Sequence, residues 1–171
     1  MTEPHKPNRG GTCSHRTYLL TCEQYEGLRK RASYQCEICG KPESEEWLEV
    51  LRIDHAHHLG YWAVRGLLCH RCNCSFDLAA IAGPARDTYL KNSWYLHMLA
   101  ELGLPPATPP EPPVGSVVKE GPRRWTRTGE STWRCDGAHR PRGHKFMKWR
   151  DIVYRYGPHN LTIPGHQRTL G

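Results

Sequence analysis

Residues 53–73 read IDHAHHLGYWAVRGLLCHRCN, and this stretch decides how the rest of the chain is interpreted. An aspartate and three histidines lie near its start, and a Cys-x-x-Cys pair followed directly by an asparagine closes it. A first Cys-x-x-Cys pair stands upstream, with a glycine after its second cysteine. Two such pairs that meet across a hairpin are typical of a tetrahedral thiolate zinc site. We therefore expect one structural zinc ion on Cys36, Cys39, Cys69 and Cys72.

The alternative for these cysteines is redox chemistry or disulfide bonding. A redox function predicts one Cys-x-x-Cys pair, whereas this chain has two. A zinc ion with four thiolates has no open coordination position, so a catalytic metal would have to bind elsewhere. Cys74 is too close to Cys72 to be a fifth ligand and is expected to be a spare thiol.

The composition favours a small protein that needs such a staple. Of its 171 residues, 37% are hydrophobic, 16 are Gly and 14 are Pro, so the core is expected to be modest. No apolar run is long enough to cross a membrane, and the first ten residues lack an apolar signal region. These features predict a cytoplasmic protein that is not secreted and has no membrane partner.

The net charge of +7 is concentrated in residues 105–171, while residues 36–104 are slightly acidic. A basic surface attracts a polyanion through counterion release, which makes nucleic acid the leading partner. The alternative is that the charge only keeps the protein soluble.

The Asp-His cluster fits hydrolysis of a phosphodiester. That reaction needs a base to activate water and a cation to stabilise the leaving oxygen. A neutral histidine suits the first task, and a hard divalent ion with oxygen ligands suits the second. Asp54 and His55 are neighbours on a predicted strand, so their side chains share a face only if the strand is irregular there. Asn73 would place an amide oxygen at the start of a helix.

Three motifs together resemble the recombination endonuclease VII family of phages, within the HNH (ββα-metal) nuclease superfamily. They are C-x-x-C-G, D-H-x-H and V-R-G-L-L-C-x-x-C-N, and L-T-C-E-Q-Y resembles the family's leading helix. The resemblance covers about residues 18–100. It implies a zinc-stapled ββα-metal core with flanking helices, in a bacteriophage DNA endonuclease that works in the host cytoplasm. It also raises branched DNA, such as a four-way junction, as the substrate, and a homodimer through the 84–102 helix.

The resemblance assigns a role to five residues. Asp54 and Asn73 match the ligands of the catalytic ion, Mg²⁺ or Mn²⁺. His55 matches the general base, His57 the second histidine, and Arg65 a phosphate contact. The hairpin is two residues longer than in the family and carries the additional His58, so the ranking of the last two histidines stays open. The competing functions are a non-catalytic zinc-finger DNA-binding protein and a phage adaptor with a degenerate nuclease core.

The predicted fold class is α+β, with four segments. Residues 1–17 form a mobile basic arm, 18–103 the nuclease domain, 104–122 a Pro-rich extended linker, and 123–171 a basic unit that contains tryptophans. The nuclease domain is expected to hold a helix capped by Thr21, strands at 47–54 and 62–68, and helices at about 71–82 and 84–102.

The tail leaves two questions open. Its three tryptophans, Trp125, Trp133 and Trp149, either stack on bases beside the basic residues, which would make the tail a DNA-binding appendage, or form a miniature core. A short helix is expected at 145–156. A second zinc site could combine Cys135 and His139 with Cys13, His15 or Cys22. The loose spacing favours free thiols instead.

Overall fold

The computed structural model describes residues 13–76, 83–106, 108–136 and 145–163. The chain divides into two compact units, Met1–Tyr95 and Leu96–Gly171, and its fold is mixed α/β. No helix in the described ranges is long and apolar enough to span a membrane.

The first unit begins with a 3₁₀ turn at Ser14–Tyr18 and helix α1, Cys22–Arg31. Two further 3₁₀ turns, Glu43–Glu45 and Trp47–Glu49, lead to strands β1, Arg52–His55, and β2, Val64–Leu68. The remaining helices of this region are α2, His70–Cys74; α3, Pro84–Lys91; and α4, Trp94–Glu101. An antiparallel hairpin followed directly by a short helix is thus the centre of the unit.

The predicted capping of α1 is confirmed. The Thr21 hydroxyl accepts from the backbone N–H of Gln24 at 3.1 Å, and the Gln24 side chain accepts from that of Thr21 at 2.8 Å. This exchange satisfies two backbone donors that the first turn of a helix leaves unpaired. Helix α1 then buries Tyr25 and Leu28 against β2 and the cysteine-bearing segments.

Two predicted elements are wrong in extent. The strand predicted at 47–54 begins only at Arg52, because Leu48 and Glu49 adopt positive φ angles of 72° and 51° within a 3₁₀ turn. The helix predicted at 84–102 is two helices, separated at Asn92 and Ser93, whose side chains favour helix ends. The Ser93 hydroxyl donates to the Leu90 carbonyl at 2.7 Å, which stabilises the break. The helix predicted at about 71–82 is described only as far as Cys74, and residues 77–82 lie outside the described ranges.

The second unit is a four-stranded antiparallel sheet with helix α5, Trp149–Tyr156. Its strands are β3, Val117–Glu120; β4, Arg123–Arg127; β5, Trp133–Asp136; and β6, Phe146–Met147, in that order. A 3₁₀ turn at Pro158–Asn160 follows α5. The helix predicted at 145–156 therefore starts four residues late, since Phe146 and Met147 pair with β5.

The three tryptophans of the second unit form its core. Trp125 and Trp133 are fully buried and Trp149 is 5% exposed, packed with Val118, Ile152 and Val153. Of the two alternatives for these rings, the structure shows the miniature core, because a DNA base cannot reach buried ring faces.

The Pro-rich segment is packed from Pro109 onward, which corrects the prediction of an unpacked linker at 104–122. The Trp149 indole N–H donates to the Pro109 carbonyl at 2.7 Å, and the Trp133 indole donates to the Glu111 carboxylate at 2.8 Å. The last residues of the segment form β3. These two hydrogen bonds from buried tryptophans hold the Pro-rich segment against the core of the second unit.

Candidate metal and active site

The four cysteines of the two Cys-x-x-Cys pairs converge as predicted. The sulfur atoms of Cys36, Cys39, Cys69 and Cys72 all lie within 4.8 Å of one another, and those of Cys39 and Cys69 are 3.7 Å apart. Zinc–sulfur bonds of about 2.3 Å in a tetrahedron require sulfur–sulfur distances of about 3.8 Å. The cluster therefore fits a structural metal ion such as zinc.

Local backbone structure presents both pairs. Gly40, with φ of 72°, closes the first turn, and its N–H donates to the Cys36 carbonyl at 2.9 Å. Cys69 is the N-cap of α2, so its sulfur and that of Cys72 face the same side of the first helical turn. The glycine in the first pair and the helix start in the second explain the short spacing.

Glutamate side chains join the first cysteine turn to β2 and α2. Glu37, between the first two cysteines, accepts from the Leu67 backbone N–H at 2.8 Å and pairs with Arg31 at 2.8 Å. Glu46 accepts from the His70 backbone N–H at 2.9 Å and pairs with Lys41 at 2.6 Å. The Lys41 and His70 donors lower the pKa of Glu46. Both contacts link the segment of the first cysteine pair to that of the second.

The expected irregular strand end is present at Asp54 and His55. Asp54 pairs with Gly66, but His55 pairs with Val64, so the register shifts and Arg65 is the extra residue of a β-bulge. As a result both Asp54 and His55 are buried, with 4% and 8% of their surface exposed.

Asp54 is the centre of a buried polar network. Arg65 donates to both carboxylate oxygens, from Nη2 to Oδ1 and from Nε to Oδ2, each at 2.7 Å. The Tyr89 hydroxyl of α3 donates to Oδ2 at 2.7 Å. Burial and the Asp54 charge raise the pKa of Tyr89 well above its usual value, so this hydroxyl remains a donor. The Arg65 guanidinium also lies over the Phe76 ring, 4.1 Å from its centroid.

The His55 ring contacts the rings of His57, Tyr61 and Tyr18. The His57 ring is 4.2 Å away between centroids, Tyr61 stacks on His55 at 5.0 Å, and Tyr18 contacts it edge-on at 5.3 Å. Burial and the neighbouring His57 lower the pKa of His55 to about 4. The imidazole is therefore neutral at pH 7 and able to accept a proton.

The remaining predicted site residues are His57, Asn73 and Arg65. His57 is exposed and contacts His55, which favours it over the equally exposed His58 as the second histidine of the cluster. Asn73 is half-buried on α2, which packs beside β1 and β2. Arg65 contacts the carboxylate of Asp54 rather than open solvent.

Sequence reasoning missed Tyr89, Tyr18 and Tyr61 as neighbours of the site. Tyr89 lies in the region predicted as the 84–102 helix, and nothing in its local sequence indicates that its hydroxyl reaches Asp54. Tyr18 precedes the Asp-His motif and Tyr61 follows it. Whether their rings reach His55 depends on the turn at Ser14–Tyr18 and on the length of the hairpin.

The residues considered for a second metal site fall in both units. Cys135 is buried in the core of the second unit with Trp125 and Trp133, and His139 lies outside the described residues. Cys13, His15 and Cys22 come together in the first unit, with their ligand atoms within 4.8 Å of one another.

One protein-family model matches the region that carries these motifs. Residues 11–90, which contain both cysteine pairs and the Asp-His cluster, match the family model of recombination endonuclease VII. Residues 11–90 are thus similar to recombination endonuclease VII. This similarity suggests a DNA endonuclease that acts in recombination. No curated protein and no solved structure was found to match the chain.

The endonuclease VII-like cysteine cluster gives a direct prediction for metal content. Cys72→Ser should lower the zinc content by one ion per chain and destabilise the first unit strongly, because structural zinc contributes about 10–16 kcal/mol of apparent binding free energy. Cys74→Ser is the matched control, since Cys74 is exposed and stands outside the cluster. Elemental analysis and urea unfolding measure both effects. Equal zinc content in the two variants would contradict a tetrathiolate site.

The lowered pKa of His55 predicts how stability depends on pH. Unfolded His55 takes up a proton at a pKa of about 6.5, whereas the folded side chain does so only near 4. Between these values the unfolded state binds more protons, so stability falls as the pH falls through this window.

We expect the wild type to lose more stability than His55→Gln between about pH 7 and about pH 4. Urea midpoints with zinc but without magnesium measure this difference, in which acid release of zinc cancels. Parallel curves for the two proteins would show that His55 is not held neutral by the fold.

Proposed function

We propose that this chain hydrolyses DNA phosphodiester bonds by the HNH mechanism, with His55 as the general base and a Mg²⁺ or Mn²⁺ ion held by Asp54 and Asn73. The observation that carries the proposal is the neutral, partly shielded His55 beside the buried Asp54 carboxylate at a strand bulge. The hairpin β1–β2 followed by α2 supports a ββα-metal core for this site.

The proton transfer at His55 follows from its surroundings. A neutral imidazole accepts a proton from a water aligned with phosphorus, and that water attacks opposite the departing 3′ oxygen. An incoming phosphate is an anion and raises the pKa of His55 from about 4 towards the working pH, which makes it a stronger base on substrate binding. His57, exposed at the rim, is proposed to orient the phosphate. The departing 3′ oxygen takes a proton from solvent, so the products are a 5′-phosphate and a 3′-hydroxyl.

The donor set fits a hard divalent ion through oxygen atoms. A carboxylate has about four acceptor positions, and Arg65 and Tyr89 occupy three of those of Asp54. Such an ion, when bound, supplies positive charge to the phosphate and the leaving oxygen. Asp54 and the Asn73 amide oxygen would hold it. Tyr89 then keeps the orientation of the Asp54 carboxylate.

Arg65 is proposed to exchange its partner during binding. In the structure its guanidinium neutralises Asp54. A divalent ion on Asp54 would repel that charge, and a phosphate beside it would attract it. Once a divalent ion takes the place of the guanidinium beside Asp54, Arg65 can contact a phosphate. Its ion pair with Asp54 is therefore compatible with the phosphate contact that the resemblance implies.

The second unit is proposed to capture DNA through the outer face of its sheet. Lys119 and Arg124 are paired on β3 and β4, Arg134 lies on the same face of β5, and Phe146 of β6 is paired with Arg134 and 52% exposed. The tryptophans occupy the opposite face. Cations beside an exposed ring suit contacts to phosphates and to an unstacked base.

The substrate and the assembly are the widest parts of the proposal. Branched DNA and a homodimer through residues 84–102 belong together, because paired cuts at a junction need two active centres. A bacteriophage origin and action in the host cytoplasm fit the family. The alternative, a non-catalytic zinc-dependent DNA-binding or phage adaptor protein, would retain the cysteine cluster without needing the buried Asp54 and His55 pair.

Cleavage of supercoiled plasmid with magnesium tests the catalytic proposal. His55→Ala should lower the rate of nicking about 10²–10⁴-fold, the range for loss of a general base. His58→Ala is the matched control, because His58 is an exposed histidine of the same hairpin. EDTA should abolish nicking by the wild type. Nicking that is equal in the two variants, or absent in the wild type, would refute the proposal and favour the alternative. A four-way junction and a linear duplex of the same sequence then separate paired cutting from simple nicking.

Salt-dependent DNA binding tests the capture surface. Lys119→Glu with Arg124→Glu should weaken affinity at low salt and lower the slope of log affinity against log salt by about one per lost phosphate contact. Arg150→Glu is the control, since this side chain is 78% exposed on α5 and away from the outer sheet face. Identical slopes in both variants would place DNA binding elsewhere.

A further inference from the structure

Three ligating side chains meet at the start of the first unit, outside the tetrathiolate cluster. The sulfur atoms of Cys13 and Cys22 and an imidazole nitrogen of His15 all lie within 4.8 Å of one another. Zinc bonds of about 2.3 Å to sulfur and about 2.0 Å to nitrogen place tetrahedral ligand atoms about 3.4–3.8 Å apart. Small side-chain rotations therefore suffice to gather the three atoms around one ion.

The backbone brings these residues together although Cys22 follows His15 by seven positions. Cys13 precedes the 3₁₀ turn, and His15 lies within it. Leu19, with φ of 59°, reverses the chain, and the Leu20 N–H donates to the His15 carbonyl at 3.3 Å. Cys22 is then the first residue of α1, whose capping box fixes its position.

The burial of the three residues suits a metal site. His15 is only 1% exposed, and its ring stacks on Tyr25 with centroids 5.0 Å apart and an angle of 12° between the planes. The imidazole is thus held in one place by packing. Cys13 is half-buried and Cys22 is exposed, which gives an ion a path from solvent.

We propose that Cys13, His15 and Cys22 bind a second zinc ion, separate from the one on the four paired cysteines. Two thiolates and one imidazole select zinc over magnesium or calcium, which prefer oxygen ligands. Three protein ligands leave a fourth position for water. The ion ties the 3₁₀ turn to the first turn of α1.

This ion has a consequence for the site that rests on the proposed function. The same 3₁₀ turn carries Tyr18, whose ring contacts His55 edge-on. By fixing the turn, the second zinc holds Tyr18 against the proposed base. Tyr18 is therefore a positioning residue, which acts through His55.

Metal counting tests the site independently of nuclease activity. After dialysis against excess zinc and then buffer with a reductant, the wild type should retain two zinc ions per chain. Cys13→Ser with Cys22→Ser should retain one, and Cys74→Ser, the control, should retain two. A wild type with one ion, or a double variant with as many ions as the wild type, would overturn the proposal.

Cobalt substitution guards against a loss of metal that only reflects unfolding. The double variant should keep the charge-transfer absorption of a tetrathiolate site, and the additional absorption of the wild type should be about half as strong, because two thiolates contribute instead of four. Loss of the tetrathiolate signal would assign the first result to unfolding, and Cys22→Ser alone, at an exposed position, then decides the matter by its zinc content.

A disulfide between Cys13 and Cys22 is the competing outcome. Thiol alkylation of the native, zinc-loaded protein followed by mass mapping distinguishes the two: a metal site shows both residues as thiols that a chelator exposes to alkylation, and a disulfide shows neither. If two ions are found but nicking is absent, the second zinc stands and only its link to His55 fails.

Discussion

The meeting of the two cysteine pairs is the constraint on which the first unit depends. Residues 36–39 precede the β1–β2 hairpin and residues 69–72 follow it directly, so a metal ion on the four cysteines would close a loop that contains the whole Asp-His segment. The apolar core alone is modest, and it includes three of those cysteines beside Leu28 and Leu67. Tetrahedral coordination of such an ion would fix the start of α2 relative to the hairpin, and thereby Asn73 relative to Asp54.

The cysteine cluster and the hairpin could be predicted because their signals are local and periodic. Paired Cys-x-x-Cys spacing has few physical explanations, and the Thr21 capping box depends only on residues three apart. Adjacent Asp54 and His55 also required an irregular strand end, and the bulge at Arg65 is that irregularity. Predictions of this kind depend on local covalent geometry, and the structure therefore agrees with them.

The network around Asp54 could not be predicted, because it depends on elements far apart in the chain. Tyr89 reaches Asp54 across 35 positions of sequence, and Arg65 is captured by the same carboxylate because the bulge directs its side chain inward. Likewise, tryptophans interleaved with arginines in the tail suit either base stacking or a core. Burial alone distinguishes these, and the fold buries Trp125 and Trp133 completely. The break at Asn92 was missed since helical periodicity continues through it.

The proposed functions of the two units differ: the first hydrolyses DNA and the second captures it. The first holds buried groups proposed for hydrolysis and is locally short of positive charge, whereas the second presents cations on one sheet face and buries its three tryptophans on the other. Separating capture from chemistry lets the site bury Asp54 and His55 without needing a basic surface around them. A structural metal ion on the four cysteines would help so small a core to tolerate the buried ion pair of Asp54 and Arg65.

Amide hydrogen exchange with and without zinc tests most directly whether the ion holds the hairpin and its site together. The account predicts that removing zinc abolishes protection of the β1–β2 amides, including those of Ile53 to His55, while the β3–β6 amides remain protected. Protection of the hairpin that persists at full strength in the zinc-free protein would contradict it.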